Sequence, residues 1–185
     1  MIQTQKDLEQ WYDTTDPWNY ENSLDDIKRR DILLAEIPNR TYDNVLDIGC
    51  GSGFVTRDLP GKHIFGVDLS AQAIKQAQKI GKRRNISKLG RPIKYSVADL
   101  FELQEHFPEN FFDLIIMTGV LYPQYIGQSQ TLVYHIIDSL LNKHGILVSV
   151  HINEWYKSQF PFLKLKEYMY KYLTFTHRLE LYIKP

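Results

Sequence analysis

Cysteine is almost missing from this chain of 185 residues, since Cys50 stands alone. A disulfide within the chain is therefore excluded, and a protein kept in a reducing compartment is expected. No apolar run reaches the length needed to span a bilayer, and the N-terminal stretch lacks the apolar core of a secretory leader. A cytoplasmic protein that makes no membrane contact follows as the expectation. An excess of either charge is lacking too. Lys+Arg and Asp+Glu both number 22, so the net charge is zero, and no global field draws the chain to nucleic acid. Neither a linker nor an internal repeat interrupts it, so residues 1–185 are expected to form one domain able to bury roughly two-thirds of its unfolded surface. The oligomeric state cannot be read from the sequence.

What is present is concentrated in one stretch, Val45-Leu46-Asp47-Ile48-Gly49-Cys50-Gly51-Ser52-Gly53-Phe54. An apolar, β-branched run that stops at glycine reads as a buried parallel strand followed by a turn. Gly49, Gly51 and Gly53 let bare backbone approach a ligand lying across the strand tip. The alternative is an ordinary strand-turn-helix junction. A dinucleotide fingerprint needs G-x-G-x-x-G, whereas Phe54 occupies the place of its third glycine, and Asp47 is too close for a pyrophosphate to be welcome. The acid suits a cation. Cys50 reads either as a thiolate near a helix start or as a small residue packed in the turn.

Two more acids follow two more strands. Lys62 to Asp68 reads as a second strand ending in Asp68, where a carboxylate can accept from a pair of hydroxyls. Ile93 to Val97 reads as a third, followed by Ala98-Asp99-Leu100-Phe101. Phe112 to Thr118 is a continuous apolar run suited to a central fourth strand, and Ile146 to Ile152 suits a fifth. These motifs resemble those of the class I S-adenosylmethionine (SAM) methyltransferases. The resemblance implies a Rossmann-like α/β fold, doubly wound, with a mostly parallel sheet of seven strands shortened, if anywhere, at the C-terminal hairpin. It implies SAM as cofactor and S-adenosylhomocysteine as product. Asp47 would face the ammonium group, Asp68 the ribose hydroxyls, and Asp99 with the Leu100 N–H the adenine. Gly49, Cys50, Gly51, Gly53, Phe54, Leu69, Phe101 and Thr118 complete the expected cofactor set.

Helices are expected at Lys6–Trp11, at 24–36 after a cap at Asn22 or Ser23, over the short stretch 54–59, after Ser70, and at 130–142. Leu24, Ile27, Leu34 and Ile37 form the expected buried side of the second. In related enzymes a basic residue near Arg29 meets the cofactor's carboxylate; a solvated face is the other reading. Between the first two helices, Tyr12, Trp18 and Tyr20 stand in an aperiodic segment that reads either as a lid, within an N-terminal region 1–40, or as packing. Asp-Pro-Trp followed by Tyr-Glu-Asn-Ser is similar to the N-terminal signature of NodS-like methyltransferases, which implies an amine-bearing sugar or metabolite as acceptor. Thr118-Gly119 departs from the acidic element of those enzymes. Tyr20, Tyr122 and His151 are the catalytic candidates, His151 as a general base or as a structural residue near the strand end. Lys82-Arg83-Arg84 reads as a solvated helix end, and Asn85-Ile86-Ser87 as a glycosylation sequon in form only. No metal ligands are singled out. Methyl transfer to a small-molecule acceptor is the leading function. A SAM-binding module without acceptor, or an RNA methyltransferase, are the alternatives. A last helix and an antiparallel pair are expected after Glu154, with Phe162–Tyr172 ambiguous and His177–Ile183 a strand.

Overall fold

A computed structural model describes residues 5–14, 16–84, 91 and 93–185; the sequon at Asn85 lies outside them. Seven strands, β1 (Asn44–Ile48), β2 (His63–Asp68), β3 (Ile93–Val97), β4 (Phe112–Thr118), β5 (Leu141–Ile152), β6 (Leu163–Tyr172) and β7 (Phe175–Ile183), build one sheet in the order β3-β2-β1-β4-β5-β7-β6. The first five run parallel, and β7 pairs antiparallel with both β5 and β6. The order reverses between β1 and β4, the place where an open α/β sheet leaves a crevice outside its carboxyl ends. The helices are α1 (Gln5–Trp11), α2 (Leu24–Glu36), α3 (Ala71–Arg84), α4 (Leu103–His106), α5 (Pro123–Ile126) and α6 (Gln130–Leu140). Among the described residues no helix is long and apolar enough to cross a membrane.

Strand alternation divides the core between the two faces of the sheet. Leu114, Ile116, Val148 and Leu181 meet Leu33 and Ile37 of α2 on one face, while Ile115, Met117 and Leu147 meet Val133, Ile136 and Ile137 of α6 on the other. The doubly wound, Rossmann-like expectation holds, and the C-terminal hairpin is complete.

Four local expectations need correction. The buried residues of α2 are Asp26, Arg29 and Leu33, while Leu24 is exposed. Its inner face is polar in its first half because it looks onto a cavity. The segment after the glycines forms turns and a 3-10 turn at Thr56–Asp58 rather than a helix over 54–59. Between β5 and β6 the chain makes turns and loop, not a last helix. The ambiguous stretch is the long edge strand β6, whose pairing with β7 slips between Lys164 and Lys166. That slip breaks the two-residue period by which a strand is recognised.

Candidate active site

A cavity of about 720 Å3 opens at the carboxyl ends of the parallel strands. Asp47 and Ile48 of β1, Asp68 and Leu69 at the end of β2, Asp99 to Phe101 after β3, and Thr118 to Val120 after β4 contribute to its wall. Three acids scattered over fifty residues thus meet because three neighbouring strands end on one line. Gly49, Cys50, Gly51 and Phe54 form the floor beside them.

Asp47 is almost fully buried. Its Oδ2 accepts from Thr56 Oγ1 at 2.6 Å, and its Oδ1 has no hydrogen-bond partner among the described residues. An orphaned carboxylate oxygen in a cavity wall is costly unless a donor arrives. Burial pushes the Asp47 carboxyl up to about 7, against the Thr56 hydrogen bond and with Asp68 adding to the rise. Asp68 is better satisfied: Oδ2 accepts the Gly51 N–H at 2.8 Å and Oδ1 the Ser70 N–H at 2.9 Å. Burial raises its pKa, and these backbone donors oppose the rise. Asp99 caps the short turn that follows it, accepting the Phe101 N–H at 2.9 Å. The helix-cap reading is therefore met, and one capped oxygen leaves the other available to a ligand.

The glycines divide into two kinds. Gly51 has φ of +54° and lines the cavity, with its missing side chain pointing at Tyr12 Oη, which would lie 2.8 Å from a Cβ. Gly53 has φ of +80°, but a Cβ there would strike the Tyr95 hydroxyl, and the residue is not part of the cavity wall. The ligand-facing expectation for Gly53 is corrected: close packing against β3 requires this glycine. Cys50 is buried, and burial followed by Asp68 and Asp47 raises its thiol well above the ordinary range. It is a packed residue rather than a thiolate.

The N-terminal aromatics form a continuous relay into the turn. Trp18 stacks on Tyr20 at 5.6 Å, Tyr20 on Phe54 at 5.7 Å, and Tyr12 meets Trp18 edge-on at 5.1 Å. Tyr12, Trp18 and Tyr20 all line the cavity while packed against one another and against the turn. The segment is tied down from α3. Glu9 accepts the Ala71 N–H at 2.6 Å and the Gln72 N–H at 3.1 Å, and Gln76 Nε2 donates to the Tyr12 carbonyl at 2.8 Å. Arg29 reaches the same wall from α2, with Nε donating to Asp26 Oδ1 at 3.2 Å and its guanidinium 5.3 Å from the Tyr20 ring centre.

Among the three catalytic candidates, Tyr20 and Tyr122 line the cavity and His151 does not. The Tyr122 hydroxyl accepts the Ile152 N–H at 2.9 Å, and burial pushes its pKa up to about 12. His151 is corrected to a core residue. Its Nε2 accepts the Leu121 N–H at 3.2 Å, its Nδ1 pairs with Ser149 Oγ at 3.0 Å, and burial, with Arg178 and His177 nearby, pushes it down to about 3. The physical reason is the strand period: Val150 and Ile152 face the cavity, so the residue between them faces away. The histidine that does face it is His177, directly opposite Ile152 in the β5–β7 register. Opposed residues of an antiparallel pair share a face. Tyr172 and Trp155 join the same wall. No motif in the sequence marks these three; His177 is placed by the pairing of β7 with β5, Tyr172 by β6 beyond it, and Trp155 by the turn after β5.

Residues 40–177 match a model of the methyltransferase domain family. The chain is 32% identical over 128 residues to a trans-aconitate 2-methyltransferase of Escherichia coli O7:K1, covering 66% of this chain and 44% of that one. It is 27% identical over 161 residues to a ubiquinone biosynthesis O-methyltransferase of Glaesserella parasuis, covering 83% and 66%. The chain spans about half the length of several curated relatives it matches. In fold it is similar to the N-methyltransferase NodS of Bradyrhizobium japonicum, with a TM-score of 0.76 at 21% identity over 97% of both chains. The matched region runs from before β1 into β7 and so takes in every parallel strand whose end borders the cavity. The chain belongs to the methyltransferase domain family, in its class I, Rossmann-like form.

Proposed function

We propose that this chain transfers the methyl group of SAM to a small-molecule acceptor. The orphaned Oδ1 of Asp47, in a wall shared with Asp68 and Asp99, is the observation that carries the reading. It asks for a cationic donor. In this proposal Asp47 answers the ammonium group, Arg29 the carboxylate, Asp68 the ribose hydroxyls, and Asp99 with Leu100 the adenine. Gly49, Gly51 and Phe54 form the floor, with Leu69, Phe101 and Thr118 beside them. The two backbone donors on Asp68 use about half of a carboxylate's four acceptor positions, so two hydroxyls can still be accommodated.

The bound cofactor supplies an electrophilic methyl on a sulfonium. The chain's share of the work is to hold an acceptor lone pair in line, exclude water, and place aromatic faces around positive charge. Tyr12, Trp18, Tyr20 and Tyr122 offer those faces. Two of the curated relatives are named for small molecules, one for trans-aconitate and one for ubiquinone biosynthesis, which supports the class and not an identity. An amine-bearing acceptor of the NodS kind is the less favoured choice. Asp26, whose Oδ1 accepts from Arg29 and from the Tyr172 hydroxyl, does not line the cavity, and the acids that do line it among the described residues, Asp47, Asp68 and Asp99, are those given to the cofactor in this proposal, so an ammonium finds no spare carboxylate in the wall.

The test is calorimetric titration with S-adenosylhomocysteine, alongside transfer of labelled methyl from SAM to panels of hydroxyl and amine compounds. Absence of binding would overturn the proposal. The titration has a further signature. With Asp47 at about 7 in the free chain, well above the 3.8 of an exposed carboxyl, the folded form holds its proton more tightly than the unfolded chain. Its contribution to stability is thus largest at low pH and declines as pH rises from about 4 to about 7. An ammonium beside it reverses the shift. Binding at pH 6 is expected to release close to one proton, measured in buffers of different ionisation enthalpy, with release fading above pH 8 and absent in Asp47→Asn.

Gly51→Val is expected to cut S-adenosylhomocysteine affinity at least 100-fold. A branched residue at φ of +54° is strained by about 1–3 kcal/mol and displaces the Tyr12 hydroxyl from the cavity floor. Wild-type affinity in the folded variant, measured by the same titration, would remove the ligand from this turn.

A further inference from the structure

Resting on the methyl-transfer reading, we propose that the acceptor is a planar hydroxyl compound of phenolic type, bound between Tyr122, Trp155 and Tyr172, and that His177 receives its proton. The first support is position. His177 sits in the cavity wall opposite Ile152 in the strand register, across from the cofactor half formed by β1 to β3. The second is the ring's bonding. Nδ1 lies 3.5 Å from the Tyr170 hydroxyl, and Nε2 makes no hydrogen bond among the described residues. His151 by contrast has both nitrogens engaged.

The third is the surrounding surface. Tyr172 stacks on His177 with centroids 4.0 Å apart, Trp155 meets Tyr122 edge-on at 5.3 Å, and Trp155 is nearly half exposed despite its place in the wall. Aromatic rings in the wall beside an imidazole whose Nε2 is not hydrogen-bonded among the described residues suit a flat, largely uncharged guest with one polar edge. The charged and titratable groups around His177 are Arg29 and Asp26 from α2, Glu154 after β5, and Tyr170 and Tyr172 from β6, with His151 acting through the sheet from its other face. Burial, then Arg29, holds the imidazole down to about 4 against Asp26 and Glu154. It is therefore neutral, with a lone pair to offer, throughout the physiological range.

A neutral amine brings its own lone pair and needs no base, whereas a hydroxyl gains from one. In the step, an oxygen lone pair forms the O–CH3 bond and the C–S bond breaks. Its electron pair stays on sulfur, which leaves as the neutral thioether. The O–H proton passes to His177 Nε2. A hydroxyl oxygen acquiring a third bond becomes strongly acidic, so an imidazole with a low pKa is base enough at that moment.

The experiment uses 4-nitrophenol as the probe, with wild type, His177→Gln and Trp155→Phe. Calorimetry with S-adenosylhomocysteine comes first: loss of that binding in wild type would count against the cofactor reading itself. Given binding, 4-nitrophenol should quench tryptophan fluorescence in the S-adenosylhomocysteine complex, mostly through Trp155. Labelled-methyl transfer to the probe should fall about tenfold in His177→Gln at pH 6, where about a fifteenth of 4-nitrophenol is already ionised. The loss should shrink to about twofold near pH 7 and vanish above pH 8 as the phenol ionises unaided, while wild type stays nearly flat. S-adenosylhomocysteine affinity should change less than threefold in the variant. An unchanged rate and pH profile in His177→Gln, or amines methylated in preference to phenols by wild type, would overturn the inference.

Discussion

Asp68→Ala is expected to weaken SAM and S-adenosylhomocysteine by the same factor, between about 30-fold and 1000-fold. Equal loss is the diagnostic part, because the ribose is common to both ligands and the sulfonium is not. Two hydrogen bonds to a charged acceptor are worth roughly 2–4 kcal/mol together, which sets the range. The upper half is favoured by a second role that the fold assigns to this side chain. Asp68 accepts the Gly51 N–H and the Ser70 N–H, so it holds the glycine turn against the start of α3. Its removal loosens the cavity floor as well as deleting ligand contacts. Asp68→Asn should do less harm, since it keeps one acceptor. Calorimetry on both variants with both ligands decides the matter: a loss under threefold for each would make Asp68 a structural acid that merely ties two backbones together.

The parts of this site that were legible in the sequence are those encoded by neighbours along the chain. Asp47 precedes its glycine turn, Asp68 and Asp99 each follow a short β-prone stretch, and the parallel order of β1 to β4 brings them together. Strand period and turn chemistry suffice for that half. The other half depends on long-range register. Whether His151 or His177 faces the cavity is decided by one residue of phase in β5 and by its antiparallel partner, and a strand end seen alone does not fix that phase. Arg29 was legible only through resemblance. Its helix shows charged residues on its inner side because that side meets a cavity and not a core, against the usual amphipathic rule. Gly53 shows the reverse limit. Three alternate glycines look alike in the sequence, yet Gly53 packs against Tyr95 of β3, two strands away, and lies outside the cavity wall.

The part of the cavity wall that carries Trp155 in turn hangs on one buried ion pair, and Arg178→Met is expected to destabilise the protein by about 3 kcal/mol. Arg178 and Glu180 are both almost fully buried on the face of β7 turned away from the cavity, with Arg178 Nε 3.2 Å from Glu180 Oε2. Arg178 donates through its terminal nitrogens to the carbonyls of Tyr156 at 3.2 Å, Lys157 at 3.2 Å and Ser158 at 2.7 Å. It therefore pins the loop that follows β5 and carries Trp155 into the cavity wall. Breaking such a pair from one side costs about 3–5 kcal/mol because the surviving charge stays buried. The lower end applies here, since Lys164 Nζ remains 3.0 Å from Glu180 Oε1. At about 2–4 °C per kcal/mol for a chain of this length, the midpoint should fall by roughly 6–12 °C. Lys166→Met is the control. Its partner Glu36 lies 3.2 Å away with Lys166 itself largely exposed, and a surface pair is worth at most about 1 kcal/mol. Below its lowered midpoint, Arg178→Met should bind S-adenosylhomocysteine nearly as wild type, because the cofactor acids lie on β1 to β3, while Trp155 becomes more accessible to acrylamide quenching. A thermal shift no larger than the control's would mean that the loop is held by its own packing, with Tyr156 and Phe160 in the core, and that the charge pair contributes no net stability.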